Sequence, residues 1–285
     1  MSERVWTPLE LVRWTTDYFG RSGIPSPRLD AELLLAHVLE LERLDLYLHF
    51  DRVVRPAERE AYRALVRRRA SERVPIAYLT GRREFWSLPL RVTPDVLVPR
   101  PETETLVRAV IELAPGRIAE VGTGSGAIAA ALATELPDLE VVATDISKAA
   151  LEVARANLER LGLGERVSLR LGDGLAPLGT ETFDAIVSNP PYIPSGQIEG
   201  LAPELSHEPR GSLDGGCDGL ALIARLVSGG PLRLSPGGSL VLEIGEGQAP
   251  SVQQQLEAAG ALWVRVRDDL AGIPRVVVAR FGEAG

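Results

Sequence analysis

The tetrapeptide Asn189-Pro190-Pro191-Tyr192 follows the apolar run Phe183–Ser188 and sets a polar side chain beside a backbone poor in donors. Two successive prolines remove amide hydrogens and stiffen the chain. What remains are acceptors, the Asn189 side-chain oxygen and the Pro190 carbonyl. Two acceptors match the two hydrogens of a planar NH2 group. Holding both hydrogens fixes the nitrogen and turns its lone-pair face toward an electrophilic methyl group. Tyr192 offers a flat ring to pack on an amide or a base. Ligands of open α/β sheets sit beyond the carboxyl ends of the strands, so a rigid acceptor loop at such an end has a use.

A second cluster, Glu120-Val121-Gly122-Thr123-Gly124-Ser125-Gly126-Ala127, ends one apolar run and opens a helical one. Glycines in such a turn let backbone amides approach a ligand closely and aim them from a helix N-terminus. Gly122, Gly124 and Ala127 fit the dinucleotide fingerprint GxGxxA. Gly122, Gly124 and Gly126, with Thr123 and Ser125 between them, fit the GxGxG turn of S-adenosylmethionine-dependent methyltransferases. A tight strand-to-helix turn without ligand is the third reading, and the glycines alone do not choose. Asp145 closes the next apolar run at a spacing that suits a carboxylate accepting from ribose hydroxyls. It equally suits a charge at the start of the following helix. Asp173, in Gly172-Asp173-Gly174, is an acceptor for an adenine amino group or simply part of an Asp-Gly turn.

These segments need a scaffold of alternating strands and helices. Arg117–Val121, Glu140–Thr144, Val167–Leu171 and Phe183–Ser188 read as short buried strands, and 239–244, 261–266 and 275–280 add three more. Helices are expected over 126–136 and 148–161, the second capped by Ser147 and stopped by Gly162. Such alternation predicts a doubly wound, mainly parallel α/β sheet. Upstream, Thr7-Pro8-Leu9-Glu10 is a capping box. Ser26-Pro27 opens a second helix with Leu29, Leu33, Ala36 and Leu39 on one face, and Pro56 a third that runs toward Arg69. Prolines at 75, 89, 94, 99 and 101 argue against a helix there and suggest a hairpin or extended linker around Glu84–Val92. Ser195–Gly216, rich in Gly, Pro and Ser, reads as a mobile loop over the substrate side. Arg55, Arg59, Arg63 and Arg67 form a basic stripe on the third helix, which reads as a solvated face.

Composition narrows the classes. The chain has 285 residues, 45% of them hydrophobic and 25% charged, as globular proteins do. No apolar run is long enough to span a membrane, and the N-terminus lacks the pattern of a secretory signal. One cysteine, Cys217, excludes internal disulfides and paired-cysteine zinc sites, and three scattered histidines suggest no metal. With 31 basic and 39 acidic residues the net charge is −8, unlike a dedicated duplex-DNA binder.

The Asn189–Tyr192 loop resembles that of amino-group methyltransferases, which modify adenine, guanine or glutamine nitrogens. The rest of the chain is similar to the protein-(glutamine-N5) methyltransferases of the PrmC/HemK family, which modify class-I peptide chain release factors. The similarity runs through Asp30–Leu34, Pro75–Gly81, Val98–Glu104, Glu208-Pro209, Gly215–Leu220, Leu242–Gly245 and Asp269–Arg275. It implies a Rossmann-like, seven-stranded S-adenosylmethionine-dependent methyltransferase sheet. Around it come an N-terminal helical substrate-docking domain (1–75), a β-hairpin linker (76–101) and the methyltransferase domain itself (102–285). The implied donor is S-adenosyl-L-methionine, leaving S-adenosyl-L-homocysteine. The implied acceptor is the glutamine of the release-factor Gly-Gly-Gln motif, a step in translation termination.

Cofactor contacts fall by this resemblance on Gly122, Thr123, Gly124, Ser125, Gly126, Asp145, Asp173, Gly174 and Asn189. Substrate contacts fall on Asn189, Pro190, Pro191 and Tyr192, with Asn189, Pro190 and Tyr192 carrying the catalysis. Glu120 stands where the family commonly has aspartate, Gly174 where an aromatic is frequent, and Pro274 where a polar residue is common. A cytoplasmic monomer is expected, with neither membrane nor direct nucleic-acid binding. The alternative is an amino methyltransferase acting on adenine or guanine in nucleic acid. A nicotinamide-dependent oxidoreductase leaves the Asn-Pro-Pro-Tyr loop unexplained, and a non-catalytic module would have no need of it.

Overall fold

The computed structural model describes residues 5–282. The chain divides into two compact units, one holding the residues up to Arg82 together with Ala202–His207, the other holding the remainder. Among the described residues no helix is long and apolar enough to cross a membrane.

The first unit is built from α1 (Pro8–Arg21), α2 (Pro27–Leu39), α3 (Asp45–Leu48), α4 (Pro56–Ser71) and α5 (Ile76–Thr80). The capping box at α1 is formed: the Glu10 amide donates to Thr7 Oγ1, and the Thr7 amide to the Glu10 carboxylate. Phe19, Leu34, Leu35, Leu46, Tyr62 and Val66 meet in one core. The face expected of α2 is corrected here. Ala31, Leu34 and Leu35 are fully buried, while Leu29 is exposed. Apolar residues surround that helix, so their period does not single out one side. The short α5 is also new, because Pro75 precedes it at the N-cap, where a missing donor costs a helix nothing. A buried Arg69 donates to Asp30 and to Glu204, each at 2.8 Å, and so ties 202–207 into this unit.

The hairpin β1 (Arg82–Phe85) and β2 (Leu88–Arg91) turns through Trp86 and Ser87, both at positive φ, as a tight hairpin requires. There follow α6 (Glu104–Leu113), β3 (Arg117–Val121), α7 (Ala127–Glu135), β4 (Glu140–Asp145), α8 (Lys148–Arg160), β5 (Val167–Leu171) and β6 (Phe183–Ser188). The chain ends with α9 (Ala221–Gly229), β7 (Leu234–Glu243), α10 (Ala249–Ala258), β8 (Trp263–Asp268) and β9 (Pro274–Arg280). The seven-stranded sheet has the order β5-β4-β3-β6-β7-β9-β8. β9 runs antiparallel to both its neighbours, and the pairs from β5 across to β7 are parallel.

Side chains along each strand alternate between two cores. Ile118, Val141, Ala185 and Val241 face one with α7, while Ala119, Val142, Ile186 and Leu240 face the other with α9 and α10. Burial on both faces explains why these strands read as unbroken apolar runs. The strand order reverses between β3 and β6, and a ligand crevice opens at such a point.

Asn157, fully buried on α8, links the hairpin to the glycine turn. Its side chain accepts from the Arg91 amide at 2.7 Å and donates to the Arg91 and Ser125 carbonyls, each at 2.9 Å. Asn157→Ala leaves these backbone groups without partners, an expected cost of roughly 2–4 kcal/mol. The urea midpoint of unfolding should fall accordingly, and an unchanged midpoint would refute the bridge.

Candidate active site

The carboxyl ends of β3 and β6 lie side by side, with Val121 opposite Ser188. The Ser188 hydroxyl donates to the Val121 carbonyl at 2.7 Å and locks the two ends together. Above them opens a cavity of about 470 Å³, within the range of small-molecule sites. Gly122, Thr123, Gly124 and Ser125 line it. Gly122, Gly124 and Gly126 all take positive φ, and the space a Cβ would fill at Gly122 and Gly124 is open. Gly126 instead packs closely on Ala154 of α8, so its role is helix packing. Asp145 reaches across from β4 and accepts from the Gly124 and Ser147 amides, each at 2.8 Å. Each carboxylate oxygen keeps a further lone pair.

Glu120 does not line this cavity. It is fully buried under the turn, where Oε2 accepts from Thr123 Oγ1 at 2.9 Å and Oε1 has no partner. Burial pushes its carboxyl up to about 7, against the hydrogen bond from Thr123. Glu120 therefore supports the turn from behind.

Asp173 and Gly174 form another wall, joined by Arg225 and Leu222 of α9, which sequence reading missed. Arg225 donates to Asp173 at 2.8 Å, and a Cβ on Gly174 would come 3.0 Å from its guanidinium. The space left by the absent aromatic side chain is thus partly taken by an arginine. The exposed Ile146 lies on the same cavity.

The Asn-Pro-Pro-Tyr segment divides its residues. Asn189 and Pro191 line the cavity, Pro190 is buried, and the Tyr192 ring lies against Gly245. Burial pushes the Tyr192 phenol up to about 12. Asn189 Nδ2 donates to Thr103 Oγ1 at 3.1 Å, so the amide oxygen is the atom left for a ligand. The Tyr192 carbonyl accepts from Gln248 Nε2 at 2.9 Å, and Gln248 is itself fixed by the Gly245 amide at 2.8 Å. Gly215 and Gly219 press against the same backbone. A Cβ would come 2.6 Å from the Pro191 carbonyl at the first and 2.3 Å from the Tyr192 carbonyl at the second. Only glycine fits there, and the Gly-Gly-x-x-Gly spacing was the available signal.

The mouth of the cavity is equally built. Arg100 lines it and pairs at 2.5 Å with Glu208, a buried residue whose carboxyl is raised by burial against the arginine's charge. Ser195–Gly216 is wound rather than loose. The Ile193 amide donates to the Leu213 carbonyl at 3.0 Å, the Gly215 amide to the Ile193 carbonyl at 2.8 Å, and the Ser195 amide to the Gly216 carbonyl at 2.8 Å.

Glu120 carries a pH signature. Between its ordinary value of 4.5 and about 7, the folded chain holds a proton that the unfolded chain has released. Stability conferred by that proton is complete below about pH 4.5 and is lost as pH rises toward 7. Glu120→Gln should leave stability near pH 4.5 almost unchanged and raise it by roughly 3 kcal/mol at about pH 8. Thermal unfolding of both proteins at the two pH values checks this. An equal difference at both would rule out a protonated Glu120.

Residues 10–81 match the PrmC N-terminal domain, and residues 101–216 the Methyltransferase small domain. The chain is 45% identical over 287 residues to a release factor glutamine methyltransferase of Rhodopirellula baltica, covering 95% of each. It is 43% identical over 281 residues to the one from Geobacter sulfurreducens, covering 98% of each. A methyltransferase from Pyrococcus furiosus shares the fold, with a TM-score of 0.53 at 22% identity over 68% of this chain and 89% of that one. Identity of this order over almost the whole length leaves one conclusion: the chain belongs to the release factor glutamine methyltransferase family.

Proposed function

We infer that this protein transfers a methyl group from S-adenosylmethionine to the side-chain nitrogen of the glutamine in the Gly-Gly-Gln motif of class-I release factors. One observation carries the reading: Asn189, its amide oxygen left free by Thr103, stands beside the glycine turn on a single cavity. The name borne by the relatives points to the same substrate.

The cavity suits the donor. Its lining carries four aspartates (Asp95, Asp145, Asp173 and Asp214) against two arginines (Arg100 and Arg225), a balance that favours a cation. Gly122–Ser125 would hold the amino-acid end, Asp145 the ribose, and Asp173 with Gly174, Ile146 and Arg225 the adenine. Bound there, S-adenosylmethionine supplies an electrophilic methyl group on a sulfonium. The protein's own residues do the rest. A glutamine nitrogen is a poor nucleophile because its lone pair is delocalised into the carbonyl. The Asn189 oxygen and the Pro190 carbonyl accept its two hydrogens and hold it in one orientation, so the entropic part of the barrier is met in advance. The same two dipoles stabilise positive charge as it grows on the nitrogen. The proton then released passes to water or a nearby acceptor.

The experiment is methyl transfer from labelled S-adenosylmethionine to a purified class-I release factor, with duplex DNA and RNA assayed in parallel. Label is expected on the Gly-Gly-Gln glutamine. Asn189→Ala should lower the rate by about 10²–10³. Label on nucleic acid alone would overturn the substrate and leave the loop's chemistry intact.

The helical unit is inferred to dock the release factor. A groove of about 540 Å³ there is lined by Trp6, Trp14 and Tyr18 on one side and Arg59, Arg63 and Arg67 on the other. Three of the four stripe arginines therefore border a groove, while Arg55 caps α4 with Glu58. Half-exposed Trp14 stacks on Tyr18 with ring centroids 5.4 Å apart. Aromatic and arginine side chains are common anchors of protein contacts. Replacing Trp14 and Arg63 by alanine should raise KM for the release factor roughly tenfold, with kcat and cofactor affinity unchanged. An unaltered KM would remove the groove from the docking surface.

A further inference from the structure

A carboxamide has two polar ends, and the Asn189 oxygen and the Pro190 carbonyl meet one of them. An amine would offer those two acceptors the same hydrogens. The other end is a carbonyl oxygen, which loses its water when the side chain enters the cavity. A site that donates to that oxygen gains a bond. It also rejects a ligand that lacks the oxygen and would leave the donor unpaired.

Several donors of the cavity wall are already spent. Thr123 gives its hydroxyl hydrogen to Glu120, and Ser212 gives its own to the Pro209 carbonyl. Arg225 stands with Asp173 on the side read as the adenine wall. Arg100 also lines the cavity, and its pair with Glu208 engages Nη2. A guanidinium carries five N–H groups, so donors remain for a ligand. Arg100 is moreover close to Asn189. It is the N-cap of the 3-10 turn Pro101–Thr103, and its carbonyl accepts from the Thr103 amide at 3.1 Å. Thr103 Oγ1 in turn accepts from Asn189 Nδ2 at 3.1 Å. One short turn, rising about 2 Å per residue, thus separates this donor from the anchor of the acceptor.

A bare guanidinium would be a poor neighbour here. Its charge would repel the sulfonium of the methyl donor and the positive charge that grows on the amide nitrogen. Glu208 removes that repulsion. Its side chain is 1% exposed, Oε1 pairs with Arg100 Nη2 at 2.5 Å, and Oε2 has no partner among the described residues. The carboxylate cancels the charge, and the planar guanidinium keeps its other N–H groups in a fixed fork.

We propose that Arg100 selects a carboxamide by donating to the carbonyl oxygen of the acceptor glutamine, with Glu208 as the positioning residue that neutralises it. The inference rests on the methyl-transfer reading and extends it to the second polar end of the acceptor.

The test is a double-mutant cycle read by binding. The full-length protein, saturated with S-adenosylhomocysteine, is titrated with a class-I release factor and with its Gln→Met variant in the Gly-Gly-Gln motif. Arg100→Leu is combined with Glu208→Met, because removing the arginine alone strands a buried carboxylate. This enzyme should bind the natural release factor roughly 10- to 100-fold more weakly than the wild type does. It should bind the Gln→Met factor within about twofold of the wild type, with S-adenosylhomocysteine affinity unchanged. Equal weakening toward both factors would put Arg100 on another part of the substrate and overturn the proposal. So would unchanged binding of both, or a matching loss of S-adenosylhomocysteine affinity.

Glu208→Gln removes the charge and keeps the shape. S-adenosylmethionine should then bind roughly tenfold more weakly, and S-adenosylhomocysteine, which lacks the sulfonium charge, as before. An equal change in the two affinities would make Glu208 a structural prop and overturn its part. Methyl transfer by the wild-type protein is assayed alongside. Label absent from the motif glutamine refutes the methyl-transfer reading and this inference with it. Label present, together with an additive cycle, refutes this inference alone.

Discussion

Two consecutive prolines at the end of β6 leave a stretch of backbone that cannot donate, and its surroundings hold it through its carbonyls. Gln248 reaches the Tyr192 carbonyl and is itself clamped by the Gly245 amide. Gly215 and Gly219 come so close to the Pro191 and Tyr192 carbonyls that no other residue fits either position. A loop of freely rotating peptides would have amides of its own to satisfy and many ways of doing so. Removing those donors reduces the loop to a fixed array of acceptors, and acceptors are what a substrate NH2 requires.

The strand order supplies the second condition. Because the chain goes out from β3 to β5 and returns to β6 on the other side of β3, the glycine turn and the acceptor loop leave the sheet at adjacent points. β7 is the next strand over and runs parallel to β6. Two segments far apart in sequence are thus brought together by the register of neighbouring parallel strands. Each strand is buried on both faces, so a slip of register would disturb both cores at once. The stiffness of the site is therefore inherited from the packing of the sheet.

Much of this was legible in the residues. The seven strands stood out as apolar runs, and Ser147 caps α8 as its position suggested, accepting from the Ala150 amide. The buried face of α2 was not legible, because Leu and Ala on every side of a helix erase the period. Proline at 75 concealed α5, since a residue that breaks a helix interior is neutral at its start. In the site, the glycines and Asp145 announced themselves through spacing along one continuous segment. Thr103, Arg225 and Gln248 gave no such signal. Their relation to the cavity depends on contacts between segments tens of residues apart, and a threonine, arginine or glutamine carries no spacing rule that would mark it.

The titratable groups around the cavity leave little room for a dedicated base. Its four lining aspartates are already engaged. Asp145 takes two backbone amides, Asp173 takes Arg225, Asp214 takes Ser195 with Arg210, and Asp95 takes Thr93. The carboxyls that burial pushes up to about 7, Glu120 and Glu243, stand outside the cavity wall. A carboxylate could not deprotonate a neutral amide nitrogen to any useful degree, so a base poised at the cavity would gain little. Rate has to come from fixing the nitrogen and from dipoles that favour its developing charge. An arrangement in which every carboxyl is either satisfied or buried behind the wall meets that demand. It leaves the Asn189 amide oxygen as the uncommitted acceptor on that wall.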